Sequence, residues 1–129
     1  MTLTFYQKIL WLVIAGGIGA LCRYGLSGAI QKNMTILFPM GTFMVNIIAC
    51  FLAGALFTLF QEKLELAGEI RTIIFVGFFG AFSTFSTFML ETAQLLRDDQ
   101  LTWAIANLLL QNGIGLLSML CGIIVGKFI

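Results

Sequence analysis

The chain has 129 residues, 60% of them hydrophobic and only 10% charged, with a mean hydropathy of +1.03. Soluble domains carry about 25% charged residues, so these proportions exclude one, and the length allows a single domain. Seven Lys/Arg against six Asp/Glu leave a net charge of +1, which excludes a basic nucleic-acid surface and an acidic solvating tail. Histidine is absent, so no His-based triad, proton shuttle or His metal site is available. Cys22, Cys50 and Cys121 sit in apolar runs without CxxC spacing, as buried thiols do, and not as a disulfide frame or a zinc site would.

An all-α membrane protein is expected, with residues 1–129 forming one four-span domain. A bilayer core is about 30 Å thick and takes about 20 apolar helical residues to cross. Four stretches meet this, over residues 9–30, 35–60, 70–96 and 101–129. The polar turn Gln31-Lys32-Asn33 follows the first. Pro39, the only proline, falls in the first turns of the second, where a missing N–H is tolerated. Residues 61–69 are charged at helical spacing and are expected at the membrane surface, and Arg97-Asp98-Asp99-Gln100 makes the last polar turn. Trp11 and Trp103 lie near span ends, as interfacial aromatics do. The first apolar stretch lacks a small-residue cleavage site, so no removable signal peptide is expected.

Four spans put both termini on one side, with Lys8, Lys63, Arg71 and Lys127, against Lys32 and Arg97 on the other. Orientation follows the Lys/Arg bias of short loops. The bias here is small, which leaves open one fixed orientation or insertion both ways round. Polar groups within the spans must face protein or water, and four short helices enclose little by themselves. Small residues permit dense packing, including Gly16, Gly17, Gly19, Gly25 and Gly28 in the first span. Ala49/Ala53, Cys50/Gly54 and Gly122/Gly126 repeat a four-residue spacing.

The third span is the unusual one. Phe75, Phe78, Phe79, Phe82, Phe85 and Phe88 crowd it, and Ser-Thr-Phe occurs twice in succession over Ser83–Phe88. Glycines and hydroxyls at midspan predict a broken helix, whose free carbonyls can bind a cation or line a cavity. Phe85 and Phe88 are one helical turn apart, so their rings lie close on one face. An aromatic ring has a positive edge, and edges beside hydroxyl and amide donors attract an anion without holding it too tightly to leave. A phenylalanine in a membrane helix ordinarily packs or faces lipid, and the interleaved Ser, Thr and Gly shift the balance.

Three motifs in order resemble the Fluc family of fluoride channels, also called CrcB. They are Gly16–Tyr24 in the first span, Gly41–Asn46 in the second, and Gly80–Phe88 followed by Glu91 in the third. The resemblance covers essentially the whole chain. It implies an antiparallel, dual-topology homodimer with two pores in the bacterial plasma (inner) membrane, exporting fluoride passively. It implies no enzymatic activity, no organic cofactor and no nucleic-acid partner. Phe85 and Phe88 match the pore phenylalanines, and Asn46 matches the pore asparagine, an amide donor to the ion. Ser83, Thr84 and Thr87 are candidate hydroxyl donors. Gly80 and Ser83 match positions whose backbone carbonyls hold a structural sodium ion at the dimer interface. Arg23 matches a vestibule arginine and Glu91 a glutamate governing access.

The fourth helix departs from the family pattern of hydroxyls at helical spacing. Its row reads Asn107, Gln111, Gly115. The two amides are donors, Gly115 supplies no side chain, and Ser118 is a nearby candidate to substitute. Three rival readings remain, one of them a structural subunit of a larger complex. A small multidrug-type proton-coupled transporter needs a carboxylate in the first span, and residues 9–30 contain none. A fluoride/proton exchanger would have only Glu91 as proton carrier.

Overall fold

The computed structural model describes residues 3–62 and 68–129. They form helices with no strand among the described residues. Helix α1 is Phe5–Gln31 and α2 is Met40–Glu62. The third span begins with α3, Gly68–Thr72, widens into a π-helix over Ile73–Phe79, and ends its first half in α4, Gly80–Phe82. It resumes as α5, Phe85–Arg97, and α6 is Leu101–Phe128. Four helices are long and apolar enough to cross a membrane: Phe5–Gln31, Met40–Glu62, Gly68–Arg97 and Leu101–Phe128. The chain is a multi-pass membrane protein.

Two boundaries differ from the sequence reading. Residues 35–38 are irregular and α2 starts after Pro39. The proline ring disfavours a helical conformation for the residue before it, and Phe38 instead turns inward, 3% exposed, against Phe43 and Trp103. Pro39 still contributes its carbonyl, which accepts from the Phe43 amide at 3.0 Å. In the charged connector, α2 reaches Glu62 and α3 begins at Gly68. The surface placement expected for Lys63, Leu64, Glu65, Leu66 and Ala67 lies outside the described residues.

Packing is uneven. Helix α2 lies chiefly on α6, and α1 lies on the π-helix and α4. The α2–α6 approach is so close that a Cβ on Gly54 would fall on the Met119 carbonyl, and one on Gly122 on the Phe51 carbonyl. Of the first-span glycines, Gly19 is pressed against the Phe78 carbonyl in the same way, while Gly17, Gly25 and Gly28 meet nothing. Only 6% of the apolar window of α1 is buried inside one copy, against 28% for α2. A ring ladder fills the centre. Phe75 stacks on Phe79 at 5.8 Å and Phe78 on Phe82 at 5.5 Å, with Val45 and Ala49 of α2 completing the core. At the membrane edge, Lys8 pairs with Glu69 at 2.7 Å, and the Leu3 amide donates to the same carboxylate.

Gly122→Ala forces two backbones apart and is expected to cost about 1–3 kcal/mol. Gly113→Ala, with open space around it, should be neutral. Helical circular dichroism through a mixed-micelle denaturation series compares the two.

Candidate functional site

The polar groups gather where the third span breaks. Ser83 and Thr84 both adopt extended backbone, with ψ of 159° and 123°. No glycine conformation is needed, since no glycine has positive φ. The Ser83 amide and hydroxyl both donate to the Phe79 carbonyl, at 3.0 and 2.8 Å. Thr84 is held by a side chain from another helix. Its amide donates to Asn46 Oδ1 at 2.9 Å, and its carbonyl accepts from Asn46 Nδ2 at 3.1 Å. The Thr84 hydroxyl caps α5 by accepting from the Thr87 amide at 3.3 Å. The Gly80 and Ser83 carbonyls therefore lose their helical donors, because the Thr84 amide turns to Asn46 and the Thr87 amide to the cap.

A row of amides runs on from Asn46. Asn46 Nδ2 donates to Gln111 Oε1 at 2.7 Å, Gln111 Nε2 to Asn107 Oδ1 at 3.1 Å, and Asn107 Nδ2 to Thr92 Oγ1 at 2.9 Å. The Thr92 hydroxyl then donates to the Phe88 carbonyl at 2.8 Å. Both amide hydrogens of Asn46 are thus engaged within the chain, on the Thr84 carbonyl and on Gln111.

Two cavities flank the break and a third lies beyond them along α5. The first, about 200 Å³, is lined by Asn46, Cys50, Ser83, Thr84, Phe85, Phe88, Gln111 and Asn112. The Phe85 and Phe88 rings meet edge to face at 5.7 Å. Phe88 is 3% exposed and Phe85 70%, so one ring is fixed in the chain and the other stands on its surface. The second cavity, about 380 Å³, holds Arg23, Tyr24, Ser27, Thr42, Thr84 and Thr87. Arg23 has no carboxylate partner among the described residues, so its charge is free to draw anions in. The third, about 290 Å³, holds Glu91 with Gln31, Gln94 and Asp98. Thr42 connects the last two, since its hydroxyl donates to Glu91 Oε1 at 2.6 Å.

The structure thus brings together Phe85, Phe88, Asn46, Ser83, Thr84 and Gln111, and sets Arg23 with Thr87, and Glu91, in adjoining spaces. The Ser118 hydroxyl donates to the Ile47 carbonyl at 2.9 Å, tying α6 to α2, and lines none of these cavities. Thr42, Cys50 and Thr92 were not among the candidate site residues read from the sequence. The signal was there in the helical period: Thr42, Asn46 and Cys50 stand four apart on one face of α2, and Phe88 and Thr92 four apart on α5.

A four-span membrane protein with an aromatic and amide-lined cavity at a broken helix is the class these features define. Residues 10–123 match the family described as CrcB-like protein, Camphor Resistance. A protein of Desulforapulum autotrophicum named fluoride-specific ion channel FluC is 46% identical over 123 residues, covering 95% of this chain and 98% of that one. Proteins of the same name from Nitrosococcus oceani and Maridesulfovibrio salexigens are 44% and 39% identical, covering 96% and 95% of this chain and 99% and 98% of their own lengths. The chain belongs to the CrcB family.

Asn46→Leu leaves the Thr84 amide and carbonyl and Gln111 Oε1 without partners, at about 1–3 kcal/mol for each buried group. Hydrogen exchange at the Thr84 amide should speed up markedly in this variant, and an unchanged rate would show that the clasp is not what protects it.

Proposed function

We propose that the chain is a fluoride-selective channel through which cytoplasmic fluoride leaves by electrodiffusion, giving fluoride resistance. The observation that carries this reading is the cavity at the Ser83–Thr84 break, where the Phe85–Phe88 edge pair stands beside neutral amide and hydroxyl groups. Relatives over nearly the full length bear the name of that activity. In acid surroundings fluoride enters as neutral HF, which crosses lipid and ionises inside. The trapped anion then needs a polar route out. An inside-negative potential drives it with about 2.3 kcal/mol per charge per 100 mV, so an open path suffices and no enzymatic step is required. Arg23 concentrates the anion in its vestibule, the ring edges and polar groups at the break replace water, and Thr42 and Glu91 lie on the access side.

The working unit is an antiparallel, dual-topology homodimer in the bacterial plasma membrane. Support comes from the exposed Phe85 ring and from cavities that open on the surface of one copy. Polar groups left facing lipid are costly, and a second copy covers them. The small bias of Lys8, Lys63, Arg71 and Lys127 against Lys32 and Arg97 leaves both orientations accessible. The Gly80 and Ser83 carbonyls fit a structural sodium ion, because they lack helical donors and a hard cation takes oxygen ligands. Two copies supply four such oxygens, and the bound ion would neutralise them at the interface. The proton-coupled multidrug reading has no carboxylate in α1 to work with.

Vesicles loaded with potassium fluoride and made conductive to potassium should lose fluoride without any imposed proton gradient. Flux that requires a proton gradient would favour an exchanger with Glu91 as carrier, and retained fluoride would overturn the channel. Phe88→Ile or Phe85→Ile should cut the flux about tenfold or more, a barrier change of about 1.4 kcal/mol, with the dimer intact on gel filtration. A single cysteine introduced at the 31–33 turn of a cysteine-free protein should react from both sides of the membrane. Labelling from one side alone would contradict dual topology.

A further inference from the structure

We propose that Thr92 and Asn107 are positioning residues of the pore, which hold one N–H of the Gln111 amide and so aim the other at the ion. This rests on the channel reading above. The Thr84 backbone N–H can only donate, so the atom of Asn46 that meets it at 2.9 Å is the oxygen. Asn46 Nδ2 must then donate, and it spends its two hydrogens on the Thr84 carbonyl and on Gln111. Gln111 must show Asn46 its oxygen and turn its nitrogen to Asn107. Asn107 in turn accepts from Gln111 and donates to Thr92, whose own hydrogen goes to the Phe88 carbonyl.

Each link thus has one sense. Asn46 is left with no free hydrogen, whereas Gln111 Nε2 has one on Asn107 and one to spare. Gln111 is 8% exposed and lines the cavity with Phe85 and Phe88. Asn107 is 0% and Thr92 5% exposed, and neither lines that cavity, so both act through Gln111. Without Thr92 as acceptor, Asn107 loses its far anchor and is free to swing away from Gln111. Gln111 still shows Asn46 its oxygen, but its nitrogen is no longer held, and its second N–H no longer points at the anion. The Phe88 carbonyl anchors the far end, so the turn that carries the pore ring also steadies the amides beside it.

The test compares Thr92→Val, Thr92→Ser and Asn107→Leu in reconstituted vesicles. Readouts are fluoride flux per active vesicle and the fluoride-to-chloride permeability ratio from reversal potentials. Thr92→Val and Asn107→Leu should lower unit flux about tenfold, the worth of one lost hydrogen bond to a charged group, and reduce the ratio. Thr92→Ser, which keeps the acceptor, should restore both. Loss confined to the fraction of active vesicles, with unit flux and ratio unchanged, marks a merely structural role and overturns the proposal. If Asn107→Leu does not fold, the Thr92→Val and Thr92→Ser pair decides alone. Wild-type vesicles that keep their fluoride sink the channel reading and this one with it, whereas conducting wild type beside unaltered variants sinks only this one.

Discussion

The structure depends on one side chain from α2 doing for Thr84 what a helix would otherwise do. In lipid no water is at hand, and an unpaired backbone group costs several kcal/mol. A span can therefore be interrupted only where something else meets the freed N–H and C=O. Asn46 presents a donor and an acceptor on one planar amide and meets both groups of the same residue. With that clasp in place, α5 can start anew at Phe85 under the Thr84 cap. The ring pair, the row of amides and the Gly80 and Ser83 carbonyls freed of their helical donors all follow from the resulting geometry.

Packing supports the clasp from one side and leaves the other open. The tight glycine contacts of Gly54 and Gly122 bind α2 and α6 into the rigid pair that carries Asn46, Asn107 and Gln111. Dispersion and close backbone approach hold helices together in lipid, where no hydrophobic driving force acts between them. Helix α1, by contrast, touches the rest through a narrow strip that centres on Gly19 and the π-helix. Its outer face, much of α6 and the exposed Phe85 ring are left uncovered by one copy.

Much of this could be read from the residues. Hydropathy placed the spans to within a few residues, because span length is dictated by bilayer thickness. The doubled Ser-Thr-Phe correctly marked the break, since hydroxyls can satisfy a helix terminus locally. The glycines beside it were less telling: Gly77 and Gly80 are helical, and extended Ser83 and Thr84 make the interruption. What the sequence hid were partnerships across long separations. Nothing local says that Ser118 is spent on Ile47, or that Thr42 meets Glu91. Nor does hydropathy see that Pro39 delays α2 while Phe38 buries itself against Trp103.

The π-helical stretch over Ile73–Phe79 sets the phase of the third span. A wider turn holds more residues per revolution than its α-helical neighbours and acts as an inserted residue does in a regular repeat. Upstream and downstream sequences are therefore out of step about the shared axis. Gly77 thereby points at Ala15 of α1 while Phe79 and Phe82 point at the α2 core. Loss of that extra residue would resynchronise the two halves, and one of them would face the wrong neighbour.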